Sequence, residues 1–385
     1  MHQHTAPKGG RILSAAAAVA AALLGAASTG AAPVRPAAPL AMPCLSGEQD
    51  FLKLPAGRAI GDVSAVTLDT AGHVWILHRP GTLPPEQRPH ALPPVAEFSP
   101  SGAYLGGFGG PGDGYDWPRT EHSLALTPEG HVWISGNFRA DPAQADDMLL
   151  EFTRDGRFIR QIGKRGASKG DDDTANFHAP GDLAIDWPRR EIYVADGYGN
   201  RRIVVVDATS GKFVRTWGAF GSAPTLAPAP SPRIAGKPFD PETGEGPPDF
   251  NGVHGVAIAH DGKVYVSDRN NQRIQVFTRT GRYLGQVFID RNLPSPSTAS
   301  GMVLSEDPAQ RYLYVADFGN AALVVVDRRR LSVIGRTGKD AGVPPPLTTP
   351  HLMASDGHGH LFVAEVAARR VTRITIGRGD CVRSQ

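Results

Sequence analysis

One unit recurs along nearly the whole chain, and its clearest copy is FNGVHGVAIAHDGKVYVSDRNNQRIQVF, from Phe250 to Phe277. Apolar residues alternate at Val256 and Ile258, an Asp-Gly turn follows at Asp261 and Gly262, and alternation resumes at Val264 and Val266 and again at Ile274 and Val276. This pattern encodes two strands joined by a tight hairpin and a third after a polar turn, with GRYLGQVFI supplying a fourth. A small antiparallel sheet repeated every roughly 40 to 50 residues cannot bury both faces alone, so it must pack on its own copies. The architecture that satisfies it is a β-propeller.

Six copies are legible. The first runs through VTLDTAGHVWILHRP and VAEFSPSGAYLGGFG, and the second through EHSLALTPEGHVWISGN and MLLEFTRDGRFIRQIG. The third is GDLAIDWPRREIYVADGYGNRRIVVVDATSGKFVRTWG, the fourth is the copy above, and the fifth is SGMVLSEDPAQRYLYVADFGNAALVVVDRRRLSVIG. The sixth, HLMASDGHGHLFVAEVAARRVTRITIG, has only three strands. The expected fold is therefore all-β, a six-bladed propeller over residues 50–381, with the short strand FLKL after Asp50 completing the last blade and removing the exposed edges of an open array. The two cysteines, Cys44 and Cys381, flank that blade, and a closing disulfide is expected between them. Residues 222–249 are Pro-rich and without strand periodicity, either a cover for one channel mouth or a solvated insertion.

Residues 1–32 read as a secretory signal peptide: Lys8 and Arg11 precede an Ala/Leu-rich run from Ile12 to Ala27 and then small residues. The run is shorter than the ~20 apolar residues a membrane span needs. A secreted or periplasmic protein without a membrane anchor is expected, with residues 33–49 as a Pro/Ala linker. Forty Lys and Arg balance 38 Asp and Glu with no long basic run, which gives no footprint for nucleic acid. A small-molecule or peptide substrate and a monomeric state are expected.

Lining up the first strands of the copies places Ser64, His122, Gly181, His254, Ser300 and His351 at one equivalent position. Because first strands line the central channel, alternate blades would present three imidazoles inward. Three histidines with an open fourth position match a catalytic zinc site, and iron or cobalt also suit them. The competing reading is three unrelated channel histidines. His73, His131 and His360 fall just after hairpin turns and read as solvent-facing. Arg79, Tyr198 and Arg269 each follow a second strand and so share one rim of the channel, where structural salt bridges are the alternative use.

The carboxylates Asp196, Asp268 and Asp317 and tails such as Asn200, Arg202 and Ile203 resemble NHL repeats. From about Asp50 to Arg373, the order VSAVTLD to LHRP, HSLAL, DGYGNRRIV with GKFVRTWG, VHGVAIA to SDRNNQRIQVF, and more weakly TPHLMAS, resembles the peptidyl-α-hydroxyglycine α-amidating lyase family. The resemblance implies that His122, His254 and His351 hold zinc, that Tyr198 is the catalytic base, and that Arg79 and Arg269 orient the substrate and its developing charge. Two positions depart from the family. Leu352 stands where an aspartate helps bind a structural calcium, and loss of that carboxylate makes calcium doubtful, although Val66 and Leu124 still offer backbone carbonyls. Gly199 stands where animal members have a cysteine. The implied function is a metal-dependent lyase that cleaves a peptidyl-α-hydroxyglycine-like carbinolamide to an amide and glyoxylate. The alternatives are a noncatalytic exported propeller that binds a peptide or protein partner and, ranked last, a metal-dependent lactone or ester hydrolase.

Overall fold

The computed structural model describes residues 40–224, 244–291, 293, 297–338 and 346–380. The signal segment, Cys381 and most of the Pro-rich insertion lie outside the described residues. The described chain forms six four-stranded antiparallel sheets, and no α-helix occurs among the described residues. In five blades the strands follow one another in chain order from the channel outward. Blade 3, for example, runs Asp182–Asp186, Glu191–Asp196, Arg202–Asp207 and Phe213–Trp217.

Strand composition follows position in the blade. Middle strands are packed on both faces, so they are continuously apolar and β-branched, as in RIVVVD from Arg202 to Asp207. The outermost strand keeps one face in solvent and alternates, leaving Val214 exposed. The apolar clusters lie between blades rather than within them. One joins Tyr193, Ile203 and Trp217 of blade 3 to Val256, Val264 and Phe277 of blade 4. Each such side chain contributes roughly 1.5–3 kcal/mol on burial, so no blade is stable without its neighbours. The Asp-Gly hairpin of blade 4 requires its glycine, because Gly262 has φ +83°.

The carboxylates that end the second strands pair across the sheet with basic residues on the third. Asp196 meets Arg202 at 2.8 Å, Asp268 meets Arg273 at 2.7 Å and Glu365 meets Arg370 at 2.8 Å. In blade 5 the cross-strand partner of Asp317 is Ala322. Asp317 faces Asp290 instead, and burial together with that second carboxylate pushes its own carboxyl well above the usual range.

The ring closes in the last blade, but through a different strand from FLKL. Its order is Pro43–Glu48, Arg370–Asp380, His360–Glu365 and Pro350–Ser355, so the N-terminal strand is the outermost one. This strand comes from the segment read as linker. PCLSGE has little apolar alternation because it sits at the rim, where only Leu45 is buried. FLKL makes a single parallel bridge, Lys53 with Ala103 of blade 1, and buries Phe51 edge-on against Phe362 at 5.3 Å. The Cys44–Cys381 pairing reaches outside the described residues.

The hairpin histidines lie at the surface as expected, but each is partly buried against a carboxylate. His73 approaches Glu97 at 2.6 Å, His131 approaches Glu151 at 2.8 Å and His360 approaches Asp356 at 2.6 Å, all partly buried. Each belongs to a surface ion-pair group; Arg154 of blade 2 completes the first by reaching Asp69 and Glu97 of blade 1. Of the insertion, residues 222–224 and 244–249 are described, and the carbonyls of Glu245 and Pro247 accept from Arg273 at 2.9 and 2.8 Å.

Candidate active site

Three innermost strands carry the histidines: Glu121–Leu126, Val253–Ile258 and Pro350–Ser355. In each, the pairing with the second strand slips at the histidine. The register jumps between Glu121 and Ser123, between Val253 and Gly255, and between Pro350 and Met353. A residue skipped by the ladder is free to turn, so the bulge swings the imidazole toward the channel axis. The intervening blades leave room. A Cβ on Gly181 would lie 2.9 Å from the Val253 carbonyl and 3.1 Å from the His254 Cα.

The three rings converge. Centroids of His122 and His254 are 5.1 Å apart, those of His122 and His351 4.8 Å, and those of His254 and His351 4.7 Å. One nitrogen from each lies within 4.8 Å of the others. Nδ1 of His122 donates to the Gly181 carbonyl at 2.6 Å and Nδ1 of His351 to the Ser64 carbonyl at 2.5 Å. The acceptors are the equivalent residues of the next blade, which fixes both tautomers with Nε2 as the lone-pair atom. The Ser300 backbone stands in the same relation to His254 in looser geometry, and neither ring nitrogen of His254 completes a hydrogen bond among the described residues.

Burial holds all three imidazoles below their ordinary range, reinforced by Arg269 at each and by Arg79 at His122 and His351, with His351 pushed down to about 3. Three buried neutral imidazoles, two with Nε2 fixed as acceptor and one with no partner, form a donor set suited to a zinc-like ion.

The three rim residues read from sequence meet at this cluster. The Tyr198 hydroxyl lies 3.0 Å from His122 Nε2 and accepts from Arg269 Nη1 at 3.0 Å. Arg79 is anchored by its Nε, which donates to the Glu121 carbonyl at 2.7 Å beside His122, and its charge acts on Tyr198 and His351. Gly199 has its own reason to be small, since a Cβ there would lie 2.2 Å from the His178 ring.

Three features were not read from the sequence. Arg139, just after the second strand of blade 2, lies with its guanidinium 4.9 Å from the centre of the Tyr198 ring. The position matching Arg79 and Arg269 in this blade is Asn137, two residues earlier, so register counting does not single out Arg139. Phe318 packs edge-on toward His351 at 6.3 Å and gives the site an apolar wall. Behind the histidines the channel holds a cavity of about 130 Å³, lined by Val66, Leu124, Val256, Leu352 and one carboxylate, Asp182. Burial pushes Asp182 up to about 7, while the Val256 N–H, donating at 3.2 Å, pulls it back. Leu352 is buried in the apolar cluster of blades 1 and 2 and brings no side-chain oxygen to the channel.

Residues 250–277 match the NHL repeat family. The chain is 26% identical to human NHL repeat-containing protein 3 over 74% of each sequence. It is 24% identical to the probable peptidyl-alpha-hydroxyglycine alpha-amidating lyase of Caenorhabditis elegans over 83% of this chain and 84% of that one. A stretch covering 43% of the chain is 30% identical to rat peptidylglycine alpha-amidating monooxygenase, of which it spans 14%. Among solved structures, a Bacteroides thetaiotaomicron protein of unknown function superposes with a TM-score of 0.55 at 12% identity, covering 87% of this chain and 77% of that one, a likeness of fold alone. The chain is an NHL-repeat β-propeller that resembles the peptidyl-α-hydroxyglycine α-amidating lyases.

Proposed function

We propose that the protein is a metal-dependent lyase that cleaves the C–N bond of an N-acylated α-hydroxyglycine, releasing an amide and glyoxylate. One observation carries this reading: the Tyr198 hydroxyl is within hydrogen-bond distance of both a triad histidine and Arg269. His122, His254 and His351 would hold the ion, zinc by preference with iron or cobalt also suited. When bound, such an ion supplies Lewis acidity that makes a substrate hydroxyl easier to deprotonate.

The remaining chemistry belongs to the protein. A carbinolamide carries a hydroxyl and an amide nitrogen on one carbon. Tyr198, as phenolate, takes the hydroxyl proton; the C–O bond becomes C=O, the C–N bond breaks, and the proton passes from Tyr198 to the departing nitrogen. Atoms and electrons balance without an oxidant or reductant. Phenols ionise in water only near pH ~10, so a base of this kind needs cations beside it. Arg269 donates directly to the phenol oxygen, and Arg79 lies close enough for its charge to be felt there. Phe318 offers apolar surface for the acyl part.

The assay is glyoxylate release from N-benzoyl-α-hydroxyglycine by zinc-, cobalt- or iron-loaded protein. Tyr198→Phe should keep the metal and lose about 10²–10⁴-fold in kcat, the usual contribution of a general base. No release above the uncatalysed rate by any loaded form would reject the lyase reading. Full turnover by Tyr198→Phe would remove only the role of Tyr198 as base.

A further inference from the structure

We infer that Arg139 is a specificity-determining residue, which with Arg269 forms a clamp for a free carboxylate on the substrate, next to the carbon attacked through Tyr198. The inference rests on the lyase reading for which carbon that is, but not for the anion subsite itself.

Two guanidiniums face one ring. The Cζ of Arg139 is 4.9 Å and that of Arg269 5.0 Å from the Tyr198 ring centre. Stacking on an aromatic face orients a guanidinium while leaving the N–H groups at its edge free, the arrangement that suits bidentate carboxylate binding. Arg139 is solvent-exposed, whereas Tyr198 and Arg269 are partly buried, so Arg139 stands on the solvent side of the site.

Of the other cations around the tyrosine, Arg79 is already engaged and Arg269 is engaged in part. Arg79 is held by the Glu121 carbonyl and feels Asp62 and Glu121. Arg269 spends one nitrogen on the Tyr198 hydroxyl and another on the Asn270 side chain at 3.4 Å. Among the described residues neither Arg139 nor Arg269 has a carboxylate partner, unlike Arg154, Arg190 and Arg311. Two unneutralised guanidiniums beside a cluster that is itself built for a cation make the mouth strongly positive. Such a field favours an anionic substrate over its neutral counterpart.

The ligand class that fits is a small N-acyl amino acid or C-terminal peptide with a free carboxylate. Its methyl ester has the same shape without the charge. The binding probe is N-benzoylglycine against N-benzoylglycine methyl ester, by calorimetry on zinc-loaded protein. Wild type should bind the acid at least ~10-fold tighter than the ester, as expected of one charge-assisted pair. Arg139→Ala should lose most of that preference by weakening the acid and not the ester, and Arg139→Lys should recover part of it. With N-benzoyl-α-hydroxyglycine, KM should rise more than kcat falls. Equal weakening of acid and ester in Arg139→Ala, or an undiminished preference, overturns the proposal. Acid-over-ester preference that depends on Arg139 in a protein that releases no glyoxylate upholds the subsite and rejects the lyase. Glyoxylate release with an unchanged KM in Arg139→Ala does the reverse.

Discussion

Replacing Arg273 by alanine tests whether the buried pairs at the blade ends hold the rim in place. Arg273 and Asp268 are both fully buried, 2.7 Å apart, and Asp268 is the residue before Arg269. The substitution leaves Asp268 with two neutral donors, the Asn251 N–H at 2.7 Å and Asn271 Nδ2 at 2.8 Å. It also strips a donor from the carbonyls of Glu245, Pro247 and Asp249. Orphaning one member of a buried pair costs about 3–5 kcal/mol, and that is the loss expected at neutral pH. Burial already pushes the Asp268 carboxyl upward and Arg273 holds it back. Without the arginine its folded-state value rises further, so the native variant binds a proton that the unfolded chain has released. The variant's stability is then best retained at low pH and falls as pH rises from the usual carboxylate range through the raised value. Urea unfolding from pH 5 to 8 measures this, with Arg273→Met/Asp268→Asn as the control that removes both charges. Recovery of more than half of the loss is expected in the double variant. A loss below ~1 kcal/mol, or one that is independent of pH and not relieved by Asp268→Asn, would refute the orphaned-charge argument.

His254→Ala should abolish stable metal retention while leaving the blades folded, since the triad sits in the channel and not between blades; undiminished metal content by elemental analysis would exclude the triad as the site. Asp317 lacks the arginine that its counterparts have, and its raised carboxyl makes a stabilising contribution that is complete below the usual carboxylate range and lost as pH rises through its folded value. Asp317→Asn should therefore flatten the fall of stability between pH 5 and 9, and parallel wild-type and variant slopes would contradict this.

The triad was legible because a propeller's register is a property of the repeat. Once Asp261-Gly262 and its equivalents fix the hairpins, counting back places every first-strand residue at a known depth in the channel. Tyr198 and the two arginines followed from the same counting, with the family resemblance supplying their roles. The bulges that turn the histidines inward were not legible, because a skipped residue leaves no mark in an alternating pattern. The closing strand was misplaced for a related reason. FLKL has the alternation of a strand and uses it to bury Phe51 against blade 6, while PCLSGE does the pairing through backbone groups that carry no side-chain signature. Arg139 lies three residues past its strand, and only the folded loop brings it over Tyr198. Asp182 was passed over because its neighbour Gly181 occupied the position being compared.

The outermost strand of the last blade sets an order of events for the folding chain. Glu48 and Arg373, which meet in the closing sheet, are 325 positions apart, whereas strands within the other blades meet across short hairpins. Closing a loop of that length in place of one of about ten residues adds about 3 kcal/mol of chain entropy, which nothing offsets until the five intervening blades have drawn the ends together. Each of those blades can form from contacts local to itself and its neighbour, so they assemble first and the seam closes last. Until it does, two strand edges stand open, one at each end of the chain, and at high concentration a second copy can supply the missing strand in place of the first. The same seam that seals the mature ring is thus where strand exchange between nascent copies would begin.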